Sequence, residues 1–95
     1  MDLAQKIAHT LVQESKAACV NIISGIRSIY RWEGKVCNEG EYLLLIKSSK
    51  EKFDAIRSTI LLLHSNEVPE IIAIPITDGD PDYLSWLQSS VSGQQ

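Results

Sequence analysis

Apolar residues at the start of the chain recur with the period of an α-helix. Leu3, Ile7 and Leu11 stand four residues apart, and alanines and a valine widen the same stripe. Polar residues fill the positions between them, which is typical of a helix with one buried face. Asp2 is a residue type that caps helices. The pattern predicts a helix that begins at Asp2 and ends near residues 15–17.

The next segments are rich in β-branched and aromatic residues, which favour strands. A first strand over residues 19–32 is interrupted by the Ser-Gly pair at 24–25, which is typical of a bulge or bend. The Glu-Gly pair at 33–34 predicts the turn of a hairpin, because glycine tolerates a positive φ. The return strand runs over residues 35–47. Consecutive apolar positions at 42–46 predict that both faces of this strand are covered.

Two more helices and one more strand are predicted in the second half of the chain. Ser48 and Glu51 form a capping-box pattern that opens a helix. The apolar stripe of this helix has spacings of three and four residues and consists of Phe53, Ile56, Ile60 and Leu63. Residues 70–76 predict a short buried strand, in which Pro75 is expected on an unpaired side or near the strand end. The Asp-Pro pair at 80–81 predicts the cap and first turn of a last helix.

The order helix, strand, strand, helix, strand, helix predicts a single α+β domain over residues 1–95. A ferredoxin-like subunit has the order βαββαβ and therefore requires one further strand before the first helix. The predicted fold class is accordingly α+β and ferredoxin-like, with helices on one face of the sheet, an added C-terminal helix, and the first strand absent from this chain.

The length of the hairpin predicts that the chain assembles with copies of itself. A compact chain of this size has a radius of gyration of about 12 Å and a diameter of roughly 32 Å. A strand over residues 19–31 reaches roughly 43 Å. The hairpin is therefore expected to bend or to project beyond its own domain, which exposes Tyr30 and Trp32 near its tip. The alternative is that these two aromatic side chains fold back onto their own sheet.

Composition and charge exclude several classes of protein. The net charge of −3, without a clustered basic surface, argues against nucleic acid as a partner. The sequence contains no apolar run of roughly 18 residues, so it does not predict a membrane span. The chain has two cysteines, too few for a disulfide framework, and no signal-peptide pattern. Together these features predict a cytoplasmic protein. No Ser/His/Asp order in a strand–turn–helix elbow and no glycine-rich phosphate loop is found, so the chain is not expected to be an enzyme.

Four ordered motifs resemble a known family. They are Ala-Ala-Cys-Val-Asn at 17–21, Ser-Ile-Tyr-Arg-Trp-Glu-Gly-Lys at 28–35, Val-Pro-Glu-Ile at 68–71 and Tyr-Leu-Ser-Trp-Leu at 83–87. Together they resemble the CutA family of divalent-cation tolerance proteins over nearly the whole chain. The resemblance implies a ferredoxin-like subunit, a tight homotrimer held by strand pairing between subunits, and likeness to the PII signalling fold. It also implies a link to copper and other divalent cations.

Two departures from the family pattern bear on these expectations. In the family topology, the absent first strand lies between the strands at 43–46 and 71–76. Those two strands are expected to run in the same direction. They either pair directly as parallel neighbours or leave the position of the absent strand between them empty. The second departure is Ser65-Asn66, where the family typically has Pro-Tyr. Without the proline and the aromatic residue, this turn is not expected to make the family's usual contribution to a cleft between subunits.

The candidate metal ligands are Cys19 and His64, since copper favours thiolate and imidazole donors. Cys19 matches the family cysteine, although a cysteine that opens an apolar strand is also typical of core packing. His64 ends the second helix, where the helix dipole equally favours a protonated imidazole. Neither residue stands at a recognised ligand spacing, so a site for copper or another divalent cation has to form in space or between subunits.

Six residues are expected at an intersubunit interface or cleft: Tyr30, Trp32, Lys47, Glu70, Tyr83 and Trp86. Lys47 and Glu70 flank the two apolar strands and either pair with each other or line the cleft. The leading hypothesis is a homotrimeric divalent-cation (copper) tolerance protein that binds metal weakly or between subunits. The alternative is a PII-like regulatory or scaffold trimer whose cleft takes a small molecule or a protein partner.

Overall fold

A long β-hairpin and three α-helices make up the described part of the protein. The structure is a computed structural model, and it describes residues 1–64 and 68–92 of the 95-residue chain. The elements in chain order are α1 (Asp2–Gln13), β1 (Cys19–Trp32), β2 (Lys35–Lys47), a 3-10 turn (Lys50–Lys52), α2 (Phe53–Leu63) and α3 (Pro81–Ser90).

Helix α1 forms where the apolar stripe predicts it and ends slightly earlier than expected. Its buried residues are Ala4, Ile7 and Leu11. The N-cap residue is Met1, so Asp2 does not cap the helix and instead places a carboxylate in the first turn, where the helix dipole favours it. The helix ends at Gln13 because the chain turns away at Ser15, which has a positive φ of 59°.

The predicted hairpin is confirmed, together with its bulge and its turn. Strands β1 and β2 are antiparallel from Cys19 opposite Lys47 to Trp32 opposite Lys35, with an irregularity between Ile23 and Ile26. The molecule measures 45 × 27 × 21 Å and has a radius of gyration of 14.7 Å, against about 12 Å expected for a compact chain of this length. The hairpin therefore makes the subunit elongated.

One side of the hairpin base carries the core. Helices α1 and α2 contribute its buried side chains, and strand residues from the same face of the sheet pack against them. The members of this core are Ile7, Leu11, Ala17, Ile56 and Ile60, with the partly buried Val20, Leu44, Ile46, Leu63 and Ile71. Both helices thus lie on one face of the hairpin, as predicted, and they cover its base rather than its tip.

The junction before α2 differs from the predicted capping box. No side chain caps the 3-10 turn or α2. The hydroxyl of Ser48 instead donates to the backbone oxygen of Lys16 over 2.6 Å. The ammonium group of Lys16 donates to the hydroxyl of the buried Thr59 over 2.7 Å. These two bonds tie the end of β2 and helix α2 to the segment between α1 and β1.

Helix α3 begins as the sequence predicts. The carboxylate of Asp80 accepts a hydrogen bond from the backbone N–H of Tyr83 over 3.1 Å, and Pro81 occupies the first turn. Leu87 and Val91 are buried, so the helix is attached to the rest of the subunit through its C-terminal half.

The prediction of a buried strand at residues 70–76 is wrong for this chain. Among the described residues, β1 and β2 are the only strands that pair, so the parallel pair with residues 43–46 does not form. Ile71 packs against the core, but Ile72, Ile74 and Ile76 are exposed, Ile74 to 82%. The segment has no adjacent strand to supply hydrogen bonds. Because ladder formation and burial both depend on such a neighbour, apolar β-branched residues alone do not produce a strand here.

The bulge at Gly25 gives a direct test of the hairpin geometry. Gly25 has a φ of +81°, and a Cβ added to it would meet no atom within 4 Å. Gly25→Ala is therefore expected to lower the free energy of unfolding by about 1 kcal/mol through backbone strain alone. Urea unfolding followed by circular dichroism measures this change.

Gly40→Ala is the matched control in the same hairpin. Its added Cβ would meet only the end of the flexible Arg27 side chain, at 3.1 Å, and its backbone has no positive φ. The expected change is within about 0.5 kcal/mol. Equal losses at the two glycines would show that the bulge conformation does not limit the choice of residue at position 25.

Candidate functional site

The face of the hairpin opposite the helices is apolar and uncovered within one chain. Side chains alternate between the two faces of a strand, and Val20, Leu44 and Ile46 point towards the helices. Ile23, Leu43 and Leu45 therefore lie on the other side, and 38–46% of each is exposed. We call this surface the helix-free face. Within one chain, therefore, only one of the two faces of residues 42–46 is covered, whereas the sequence predicts cover on both.

The helix-free face continues to the hairpin tip. Tyr30 lies opposite Cys37 and Trp32 opposite Lys35, and both aromatic residues are exposed, Trp32 to 43%. The core formed with α1 and α2 lies against the base of the hairpin and not against this part. The two aromatic side chains are thus part of an open surface that extends the apolar patch towards the tip, and they are not buried on their own sheet.

Hydrogen bonds between side chains fix the distal half of the hairpin. On the helix-free face, the Tyr30 hydroxyl donates to a carboxylate oxygen of Glu39 over 2.6 Å, and the Ser28 hydroxyl donates to Glu41. On the opposite face, the Arg27 guanidinium donates to the side-chain oxygen of Asn38 over 2.9 Å. These bonds connect the two strands in the part of the hairpin that lies beyond the core.

The bond to Glu39 also fixes the protonation state of Tyr30. Because the phenol donates to a carboxylate, its ionisation is opposed, and the pKa of Tyr30 is raised from 10.0 to about 12. Tyr30 therefore remains a neutral hydrogen-bond donor throughout the ordinary pH range.

The two predicted metal ligands lie on different elements. Cys19 opens β1 beside Lys47, and by alternation it belongs to the helix-free face. His64 follows the last residue of α2, on the helix side, and its backbone N–H donates to the oxygen of Ile60 over 2.7 Å. Within residues 1–64 and 68–92, no three His, Cys, Asp or Glu side chains are grouped to hold a metal ion.

The remaining predicted interface residues are spread around the subunit. The ammonium group of Lys47 donates to the side chain of Asn21, and in the described part of the chain it forms no ion pair with Glu70. Glu70 is exposed at the start of the unpaired segment. Tyr83 and Trp86 form an exposed aromatic pair on α3, with ring centroids 5.5 Å apart and planes inclined at 44°. Residues 65–66, the second departure from the family pattern, lie outside the described residues.

Sequence reasoning missed the three aliphatic residues of the helix-free face. Leu43 and Leu45 alternate with Leu44 and Ile46, and this alternation would have shown that each face carries its own apolar set. It could not have shown which set the helices cover, because that depends on how α1 and α2 pack.

These features define a small α+β domain with a projecting hairpin and one uncovered apolar face. The model of the CutA1 divalent ion tolerance protein family matches residues 1–90. The chain therefore belongs to the CutA1 family, which confirms the resemblance seen in its four motifs. The family is described by divalent-ion tolerance and not by a catalysed reaction.

Relatives support this assignment in sequence and in structure. The divalent-cation tolerance protein CutA of Thermus thermophilus is 45% identical over 89 residues, covering 94% of this chain and 86% of the relative. Its structure superimposes with a TM-score of 0.91 over the same shares. The chloroplastic CutA protein of Arabidopsis thaliana is also 45% identical over 89 residues, which are 94% of this chain and 49% of that protein.

A third relative is described as PII-like. The PII-like protein CutA of Nostoc sp. PCC 7120, in its apo form, is 32% identical. It superimposes with a TM-score of 0.87, covering 95% of this chain and 88% of the other. The fold of the present chain is thus the α+β fold of CutA1 structures.

In the described part of the chain, no helix is long and apolar enough to cross a membrane.

Proposed function

We propose that this protein is a homotrimeric divalent-cation tolerance protein that binds copper or another divalent cation weakly, at sites formed between copies. The helix-free face carries this proposal. Ile23, Leu43 and Leu45 expose an aliphatic surface on the side of the hairpin opposite α1 and α2, and soluble monomers rarely leave large surfaces of this kind open. Copies of the same chain supply a surface of matching character.

The unpaired segment 70–76 adds to the argument for assembly. It exposes three isoleucines, and it leaves its backbone groups without a ladder partner in the described chain. Exposed apolar edge segments of this kind are aggregation hazards unless a partner covers them.

Metal binding between copies follows from the distribution of donors. Cys19 opens β1 on the helix-free face, whereas His64 follows α2 on the covered side of the hairpin. The described residues offer no group of three donors within one chain. A site that uses these soft ligands therefore draws on more than one copy. Weak binding is expected because such a site has few fixed ligands and forms only with the assembly.

Copper titration tests the proposed ligands. In the assembled protein, Cys19→Ser and His64→Ala are each expected to weaken copper binding at least tenfold or abolish it, because each removes one of few donors. Isothermal titration calorimetry in degassed buffer measures binding, and a thiol assay afterwards separates binding from oxidation of cysteine.

Cys37→Ser is the matched control, since it removes the other half-buried free thiol without touching the proposed site. It is expected to leave the titration curve unchanged. A stoichiometric curve that survives both Cys19→Ser and His64→Ala would show that these residues are not the ligands. No heat of binding for the wild type would favour the second candidate function, a PII-like regulatory trimer that binds a small molecule or a protein partner. The description of the Nostoc relative as PII-like supports this candidate.

A cytoplasmic location is part of the proposal. It rests on two free cysteines, since structural disulfides are typical of oxidising compartments. We further propose that neither nucleic acid nor a membrane is a partner, because the net charge is −3 and the basic residues are not clustered.

A further inference from the structure

In the turn at the tip of the hairpin, a glutamate has a backbone conformation that is unusual for this residue type. Trp32 and Lys35 are directly opposite each other, so the loop between them has two residues. Glu33 has a φ of 50° and Gly34 a φ of 81°, which is the signature of a type I′ turn. Gly34 is the residue type favoured at the second position of such a turn. At the first position, asparagine, aspartate or glycine is favoured, but this chain has Glu33.

Nothing within the described chain compensates for this backbone conformation. Glu33 makes no hydrogen bond and no ion pair there, although Arg31 and Lys35 are each only two residues away. The other two carboxylates of the distal hairpin are different, because Glu39 accepts from Tyr30 and Glu41 accepts from Ser28. Glu33 is thus the one carboxylate of the distal hairpin without a bonded donor in the described chain.

The position of Glu33 makes it accessible to a second molecule. The hairpin gives the subunit its 45 Å length, and the helices pack against its base. Its tip is therefore clear of its own helices, and the adjacent Trp32 is partly exposed. Sparsely populated backbone conformations cluster at functional sites, which makes Glu33 a candidate for a contact outside its own chain.

We infer that the carboxylate of Glu33 pairs with a lysine or arginine side chain of another copy of this chain. The inference rests on the proposed trimer. Suitable partners are available, since Lys16 is the only one of the nine lysines and arginines that forms an ion pair within the described chain. The tip turn then acts as a specific contact between copies, in addition to the apolar helix-free face.

Subunit exchange tests this inference. Isotopically labelled and unlabelled wild-type trimers are mixed, and the appearance of mixed trimers is followed by native mass spectrometry at low salt. Glu33→Gln keeps the length of the side chain and the disfavoured φ but removes the charge. Exchange is expected to be about tenfold faster, because a leaving subunit breaks one such contact at each of two interfaces.

High salt and two further variants distinguish an effect of the Glu33 carboxylate from an effect of the turn conformation. High salt is expected to bring the wild-type rate to that of Glu33→Gln, since screening weakens the ion pair. Glu51→Gln, at an exposed glutamate outside the hairpin, is expected to exchange like the wild type. Glu33→Asn relieves the backbone and removes the carboxylate, so it is expected to exchange as fast as Glu33→Gln.

Each result has a distinct meaning. Trimers of Glu33→Gln that exchange at the wild-type rate would overturn the ion pair and leave the trimer intact. Slower exchange in Glu33→Asn would likewise overturn it and show that only the turn conformation matters. A wild-type chain that stays monomeric at every concentration would overturn both the proposed trimer and this contact.

Discussion

Leu43→Lys is expected to convert the proposed trimer into monomers. Leu43 lies on the helix-free face with 46% of its surface exposed in one chain. Covering such a side chain contributes about 2 kcal/mol, and placing an unpaired ammonium group in an apolar contact costs more than that. Because three copies of the substitution meet in one assembly, trimer formation should weaken by several orders of magnitude. Native mass spectrometry would then show a species near the 10.6 kDa of one chain.

Leu62→Lys provides the matched control for this experiment. The same chemical change is made at a leucine of α2 that is 86% exposed. Helix α2 lies on the covered side of the hairpin, so this position is outside the proposed interface. The variant is expected to keep the mass of the wild type. If Leu43→Lys and Leu62→Lys both remain trimers, the helix-free face is not the surface through which copies meet.

Leu11→Ala is expected to lower the free energy of unfolding by about 3–4 kcal/mol. Leu11 is completely buried and belongs to the core formed by α1, α2 and the hairpin base. The loss combines the hydrophobic transfer term with the cavity left behind. Since whole domains are stable by only about 5–15 kcal/mol, this single change removes a large part of the stability. Urea unfolding at a fixed subunit concentration measures it, which keeps the contribution of assembly constant.

Val12→Ala, at the next residue of the same helix, is the control for Leu11→Ala. Val12 is 44% exposed and points away from the core. Its replacement is expected to change the free energy of unfolding by less than about 1 kcal/mol. Similar losses at positions 11 and 12 would mean that the core is not where the structure places it.

Local signals in the sequence predicted most elements because those elements depend on neighbours along the chain. The four-residue spacing of Leu3, Ile7 and Leu11 required a helix whatever it packed against. The Ser-Gly and Glu-Gly pairs located the bulge and the turn, since positive φ angles are decided at single residues. Asp80 similarly capped α3 because the hydrogen bond that it accepts comes from three residues ahead.

Predictions that depended on distant neighbours were less successful. Residues 70–76 have the composition of a strand, but a strand needs a partner, and no described segment pairs with them. Ser48 has the spacing of a helix cap, but the Lys16 backbone oxygen, brought close by the fold, accepts its hydroxyl instead. In both cases a contact across the structure decided the outcome, and local spacing carries no information about such contacts.

By itself, the sequence determined the helices, the long hairpin and the family of this protein, because periodicity, turn residues and ordered motifs are all local properties. Only the tertiary structure decided which face of the hairpin the helices cover. The leucines at 43–45 and Ile46 are consecutive in the sequence and equally apolar, yet Leu44 and Ile46 face the core and Leu43 and Leu45 do not. Strand alternation separates them into two sets, and the docking of α1 and α2 covers one set and leaves the other exposed within one chain.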